Sequence, residues 1–412
     1  MGSRFIIKSK YTYLASHLHL LYQRNHVKLY TSNLKPANFY WEYLLIMDLS
    51  CSNLACIKAR ETSTIKILVF GNLILNYKAN LDDPNVLERH RQSWNKFDTE
   101  KHLNTFSDIT SDISYNDLKV ELCGSALHTV RVLRQLGTEA MFFSACGDDQ
   151  ESRIISNLLK KEDIDRSYLR IQTVDNVPTG RRISLSYNQS KALYTNCGAS
   201  TLFSVNYLKF VMDDKDSSIL RPQNRAQIFY IEGLFIPKRE AVTTFIVRSY
   251  IQGRRYIALN LSSENVVRQN FDHLLYLASH ALFVFGNFAE FKVFCDCWGA
   301  SSTRELAEGI VKNKETPIIF VINKGTDGIE LISNYFREGC APGPLTFQTF
   351  NVPPSTDQED IAAETYDACF VAGFLHAWLQ KRELSHCIRV GCHYANKALK
   401  PFNRLDSKEA TP

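Results

Sequence analysis

From residue 226 onward, short apolar runs alternate with amphipathic stretches, and no other feature narrows the fold so far. The runs are Ile228–Ile231, Tyr256–Leu261, Ala281–Phe285 and Pro317–Ile322. Their lengths suit strands, and they lack the polar alternation of a strand with one wet face. Helices are predicted between them, at about 238–252, 265–278, 288–298 and 303–313. Strands buried on both faces, with helices between, mean βαβ units and a parallel sheet. Ligands of such sheets sit beyond the carboxyl ends of the strands.

The first half follows the same pattern less regularly. Ile65–Phe70 reads as a short strand ending at Gly71-Asn72, and Ala140–Cys146 as a buried strand turned by Gly147-Asp148-Asp149. Apolar residues at helical spacing predict a helix over Leu127–Leu136, stopped by Gly137, and a second helix over Glu151–Lys161. Arg182–Tyr187 alternates like a half-exposed strand. Residues 78–118 are polar and broken by Pro84, an excursion from the core.

The 412 residues, 45% of them apolar, can bury one large core or two smaller ones, and 12% aromatic content argues against disorder. The net charge of +5 is uneven: residues 1–60 hold eight Lys and Arg against Glu42 and Asp48 alone. The rest of the chain is close to neutral, so nothing electrostatic points to a nucleic-acid partner. No apolar run reaches membrane-spanning length. Eleven scattered cysteines without a CxxC pair read as reduced thiols of an intracellular protein. The first 41 residues carry no acid, as a mitochondrial presequence would. Arginine and serine are sparse there, however, and the preferred reading starts the functional chain at Met47. Residues 1–60 are expected to be a basic extension outside the core, with a cytoplasmic or nuclear location preferred over a mitochondrial one.

Several turns occur in a recognisable order. They are Gly71-Asn72-Leu73-Ile74-Leu75-Asn76, Cys123-Gly124-Ser125-Ala126-Leu127-His128, Pro178-Thr179-Gly180 and Thr195-Asn196-Cys197-Gly198-Ala199. Tyr230-Ile231-Glu232-Gly233-Leu234-Phe235, Leu259-Asn260-Leu261-Ser262 and Phe285-Gly286-Asn287 with Glu290 follow. No single tetrapeptide is specific, but the ordered set resembles the adenosine kinases of the ribokinase (PfkB) superfamily over roughly residues 64–400. The resemblance implies a doubly wound α/β fold, a mostly parallel sheet with helices on both faces. It also implies one kinase domain over 62–405, with a small inserted lid from about 77–120 and 176–200. The implied reaction is adenosine plus ATP giving AMP plus ADP with Mg²⁺, the step of purine salvage. Nucleoside and ATP would be the partners of a monomer, with no membrane or nucleic acid involved.

The same resemblance suggests roles for single residues. Asn76 stands where the family grips the ribose hydroxyls with Asp. An Asn loses the charge-assisted bonds, so Asn76→Asp is expected to tighten nucleoside binding, unless Asn76 is only a turn residue. Asn72, Gly124, Ser125, His128 and Phe235 match substrate-side positions. A helix-top His is more often a packed or capping residue, and a Phe is more often core. Asn287 and Glu290 look like the superfamily's magnesium and phosphate pair, Glu290 acting through water. Their spacing equally makes a helix capping box. Gly325 belongs to the expected nucleotide-side turn, Lys324-Gly325-Thr326-Asp327-Gly328.

Gln358–Leu375, read as a strand end at Glu359-Asp360-Ile361 leading to a small-residue helix face at Phe370–Leu375, carries the sharpest departure. Relatives place Gly-Ala-Gly-Asp here, glycine amides holding phosphate charge and Asp taking the substrate's proton. The ungapped counterpart is Thr365-Tyr366-Asp367-Ala368. Thr365 and Asp367 replace both glycines, at an expected cost of about 1–2 kcal/mol each if forced into left-handed geometry. Ala368 cannot act as a base. The preferred expectation is an adenosine kinase-like protein with weakened or lost activity. A nucleotide-binding pseudokinase with a regulatory or partner-binding role is the alternative. A one-residue slip would instead bring Asp367 into the base position.

Overall fold

The computed structural model describes residues 65–83, 85, 118–162, 166–187, 190–213, 226–251, 255–312, 316–336, 342–351 and 363–397. The expectations for residues 1–60, and for a strand end at Glu359–Ile361, lie outside the described residues.

A nine-stranded sheet organises the fold. Its strands are β1 (Ile67–Phe70), β4 (Ala140–Gly147), β5 (Leu169–Val174), β8 (Ile228–Glu232), β9 (Tyr256–Asn260), β10 (Ala281–Asn287), β11 (Ile319–Asn323), β12 (Ile329–Ser333) and β13 (Thr346–Phe350). The order across the sheet is β13-β12-β11-β10-β9-β8-β1-β4-β5. Every pairing from β5 through to β11 is parallel, and β12 alone pairs antiparallel to both of its neighbours. The chain builds outward from β1 to β4 and β5, then returns to β1's other side at β8. The strand order therefore reverses between β1 and β8, and in open α/β sheets the ligand crevice forms at that reversal.

A second sheet, ordered β3-β2-β6-β7, comprises β2 (Ile74–Asn80), β3 (Lys119–Cys123), β6 (Gly180–Tyr187) and β7 (Ser190–Asn196). It draws on the segments expected as a lid, apart from residues 86–117, which lie outside the described residues.

Alternation within each central strand divides the core in two. Ile67, Val69 and Phe142 face one apolar cluster, and Leu68, Phe70 and Phe143 face the other. The first cluster is closed by α1 (Ser125–Gln135), α2 (Gln150–Lys161), α9 (Ala363–Leu379) and α10 (Leu384–Lys397). The second is closed by α3 (Val205–Asp213), α4 (Glu240–Tyr250), α5 (Glu264–Gln269), α6 (Phe271–His280), α7 (Phe288–Trp298) and α8 (Thr303–Lys312). Helices on both faces make the sheet doubly wound, as expected. Each fully buried Leu or Phe contributes roughly 1.5–3 kcal/mol, so both layers are needed to cover strands apolar on both faces.

Candidate functional site

A cleft of about 520 Å³ opens at the carboxyl ends of β1 and β8, where the strand order reverses. Asn72, Ser125, Arg182, Glu232, Asn287 and Glu290 are among its lining residues. A larger cavity, about 760 Å³, lies at the opposite end of the sheet beside Gln227, Ser333 and Trp378. Ligand crevices of open α/β sheets form at the carboxyl ends, so the smaller cleft is the candidate site.

One wall is built where β1 and β8 end. The Asn72 amide donates to the Leu234 carbonyl at 2.9 Å, and its oxygen accepts from an Arg239 Nη1 at 2.8 Å. Arg239 is buried, also donates to the Ser200 and Leu234 carbonyls, and lies over the Phe235 ring at 4.2 Å. Burial lowers its pKa to about 10 even with the charges of Cys197, Glu232 and Glu240 opposing. Gly124 has φ 135°, and a Cβ there would collide with the Asn72 carbonyl oxygen, so only glycine serves. Ser125 then opens α1, and its hydroxyl donates to Glu232.

Two expected ligand contacts sit elsewhere. Asn76 is buried in the small sheet, where its amide donates to Glu121 at 3.0 Å and its oxygen accepts from the Ser184 hydroxyl at 2.7 Å. Phe235 is fully buried against Phe70 and Phe203, with ring centroids 5.9 and 5.7 Å away. With Arg239 also against it, the ring has no open face to stack on a base, and Leu234 lines the cleft instead. His128 lies half-buried one turn into α1.

The other wall comes from β10, β11 and α9. Asn287 caps α7: its side chain accepts from the Glu290 N–H at 2.9 Å, while Glu290 accepts from the Asn287 N–H at 3.0 Å. The capping-box reading of this pair therefore holds. Burial raises the Glu290 pKa to about 7; the Asn287 bond opposes the rise, and the charges of Asp367 and Glu264 add to it. Asp367, half-buried in α9, accepts from the Asn323 amide at 3.3 Å at the end of β11. Ala368 is 1% exposed, and its carbonyl faces the Thr129 hydroxyl of α1 at 3.5 Å.

Thr365, Tyr366 and Asp367 lie inside α9, and none is among the positive-φ residues of the described chain. The strain expected from replacing glycines is absent, because the segment is helical where a glycine turn was anticipated. Gly325 has φ 62° and lies exposed in a short turn after β11, beside the ion pair of Lys324 with Glu330 at 3.0 Å. Among the described residues no three His, Cys, Asp or Glu side chains cluster as metal ligands. The negative charges of Asp367 and Glu264 nevertheless reach Glu290. That arrangement fits a hydrated divalent ion held through water better than a protein cage.

Residues 102–347, well over half of the chain, match the pfkB family carbohydrate kinase. The chain belongs to this family. A curated relative, the adenosine kinase of Saccharomyces cerevisiae, is 21% identical over 281 residues, 67% of this chain and 76% of the relative. The crystal structure of Anopheles gambiae adenosine kinase in complex with P1,P4-di(adenosine-5) tetraphosphate superposes with a TM-score of 0.65. It is 21% identical, and the match covers 82% of this chain and 96% of that one. Schistosoma mansoni adenosine kinase in complex with 2-fluoroadenosine gives a TM-score of 0.66 at 18% identity, with 82% and 96% coverage. These likenesses establish a ribokinase-like pfkB fold.

Two side chains lining this pfkB-family cleft, Arg182 and Glu232, were not foreseen, and neither was the buried clamp Arg239. Glu232 had a signal, since it is a lone charge between Ile231 and Gly233 at the end of an apolar run. Arg239 had none, because two of its three partners are 167 residues away at Asn72 and 39 away at Ser200.

Proposed function

We propose that this chain is a nucleoside kinase of the adenosine kinase type, with slow transfer and Asp367 as its base. The observation that carries the reading is the contrast between neighbours in α9. Asp367 is turned toward Asn323 and within electrostatic reach of Glu290, whereas Ala368 is packed against α1. A carboxylate beside the Asn287–Glu290 corner can accept a hydroxyl proton, and such general-base assistance is worth roughly 10²- to 10⁴-fold in rate. Asn287, Gly325 and Thr365 would meet ATP phosphates, Glu290 would order the water shell of Mg²⁺, and the small sheet would serve as a lid. Bound ATP supplies the phosphoryl group. The first four N–H groups of a helix lack intrahelical acceptors, so the start of α9 can still donate to phosphate oxygens.

A second reading, binding without transfer, is favoured by one observation. With Thr365, Tyr366 and Asp367 in regular helix, no glycine turn wraps the transferring group, and transfer would lose part of its electrostatic stabilisation. A sensitive assay of nucleoside 5′-phosphate formation separates the two. On the first reading wild type turns over slowly, Asp367→Ala lowers the rate about 10²- to 10⁴-fold, and Ala368→Asp restores nothing. Undetectable turnover in a protein that binds both nucleoside and ATP by calorimetry supports the second. A rate raised by Ala368→Asp would mean that position 368 is the base position.

A further inference from the structure

The larger cavity, about 760 Å³, lies where the turn between α9 and α10 meets the start of β13. Its volume suits a small molecule, and none of its lining residues belongs to the cleft. α9 ends in a Schellman turn: the Lys381 N–H donates to the Trp378 carbonyl and the Arg382 N–H to the Ala377 carbonyl. Lys381 thereby takes φ 60°, a left-handed position that glycine fills at least cost. Its side chain returns nothing to the fold. Lys381 and Arg382 line the cavity and are exposed, and among the described residues neither side chain has an ion-pair or hydrogen-bond partner. Glu383 beside them offsets one of the two charges. Leu384 and Ser385 open α10 and line the same cavity, and the first N–H groups of a helix lack intrahelical acceptors. Two cations and a helix start therefore gather donors for an anion.

Aromatic rings form another part of the lining. Phe336 rests on Gly343, where any Cβ would collide with the ring, and is still 58% exposed. Trp378 is held edge-on by Phe283 and Tyr256, with ring centroids 5.1 and 5.6 Å away. A seated ring with an open side is a stacking platform for a flat ligand. Thr346 and Gln348 add an exposed hydroxyl and amide, which suit sugar hydroxyls. We propose that this cavity is a second ligand site and binds a nucleoside monophosphate. Its phosphate meets Lys381, Arg382 and the start of α10, and its base lies on Phe336 beside Trp378. Phosphate alone would leave the aromatic surface bare, and a neutral nucleoside would leave the cations unused. The proposal stands apart from the kinase reading of the cleft.

Calorimetric titration of the full chain with AMP, inorganic phosphate and adenosine tests this, using wild type, Lys381→Gly, Arg382→Ala and the double variant. Lys381→Gly relieves the left-handed backbone, so it should melt no lower than wild type, and lost binding in it is not lost folding. One AMP-binding event should weaken at least about tenfold in the double variant, and part of that loss should appear in Lys381→Gly alone. Inorganic phosphate should bind wild type at least about tenfold more weakly than AMP, because it forgoes stacking. Adenosine, which carries no charge, should bind all four proteins alike. If Arg382→Ala does not fold, Lys381→Gly decides. AMP binding that is equal in all the folded proteins, or absent from wild type, overturns the second site. Phosphate binding as tightly as AMP overturns the assignment of its ligand. Loss of AMP binding in the variants, with adenosine bound by none of the proteins, supports the second site and counts against the nucleoside reading of the cleft alone.

Discussion

The two walls of the cleft hold polar side chains in opposite ways. On the β1–β8 wall, Asn72, Ser125, Glu232 and Arg239 are tied to one another and to backbone carbonyls, and Asn76 is tied within the neighbouring small sheet. On the α7–α9 wall, Glu290 lies within electrostatic reach of the Asp367 and Glu264 carboxylates, and burial raises its pKa to about 7. A wall whose polar groups bond to one another and to the backbone is held in place, and its residues serve structure before ligand. A wall whose carboxylates repel one another suits something that brings positive charge with it. Residue types alone do not reveal this difference, because Asn and Glu occur on both.

The contrast is broken most directly at Glu290. Its pKa lies above the ordinary carboxylate value, so the folded state holds this proton more tightly than the unfolded chain does. Stability from this group is fully present below about pH 4.5 and is lost as pH rises to about 7. Glu290→Gln keeps an acceptor for the Asn287 N–H while removing the buried charge. The variant should match wild type near pH 4.5 and exceed it by about 2–3 kcal/mol above pH 7. Thermal melts of both proteins across that range measure the difference. A constant offset would mean that the corner carries no excess charge.

The opposite sign is expected on the other wall. Arg239→Met removes the donors to the Asn72 side-chain oxygen and the Ser200 carbonyl, leaving these buried acceptors without them, while the Leu234 carbonyl keeps its bond from Asn72. The relief of a desolvated charge offsets only part of this. Urea unfolding should show a loss of about 3 kcal/mol, and Arg239→Lys should recover a minor share, since an ammonium cannot span the same fork. An unchanged midpoint would place the rigidity of this wall elsewhere.

The sheet was legible because apolar runs of strand length separated by amphipathic stretches allow few other arrangements. Ile228–Ile231 and 288–298 lie close to β8 and α7 as they stand. The predicted helix at 265–278 is two, α5 and α6, meeting at Asn270, which caps the second and has no apolar signature to announce a break. The candidate site was less legible. Gly124, Ser125, Asn287 and Glu290 do meet in one cleft, through turns that short-range pattern can reveal. Asn76 and Phe235 stand behind it, because what a side chain faces depends on residues such as Glu121 and Phe203, far away in sequence.

The smallest effect tests the substitution that looks most like a loss. Restoring the family's carboxylate by Asn76→Asp was expected, from the sequence, to tighten nucleoside binding. In the structure the Asn76 amide donates to Glu121 at 3.0 Å, and Glu121 is itself paired with Lys78 at 2.6 Å. An Asp at 76 has no donor for that contact and sets a second negative charge beside the first. Ser184 still donates to it, and Lys78 shares part of the added charge, so the net cost should be modest, about 1–2 kcal/mol at pH 7. Repulsion from Glu121 would raise the new carboxyl's pKa. The penalty is therefore present at neutral pH and fades as pH falls through that raised value. Melting temperatures at pH 5 and pH 7.5 measure the sign, and Asn76→Asp with Glu121→Gln should cancel most of the loss by giving the carboxylate an amide partner. If the single variant is as stable as wild type and gains nucleoside affinity, Asn76 turns toward ligand and this part of the wall is not locked. If it is destabilised and the double variant recovers, Asn76 and Glu121 are partners within the small sheet, and Asn at 76 is explained by Glu121 opposite it.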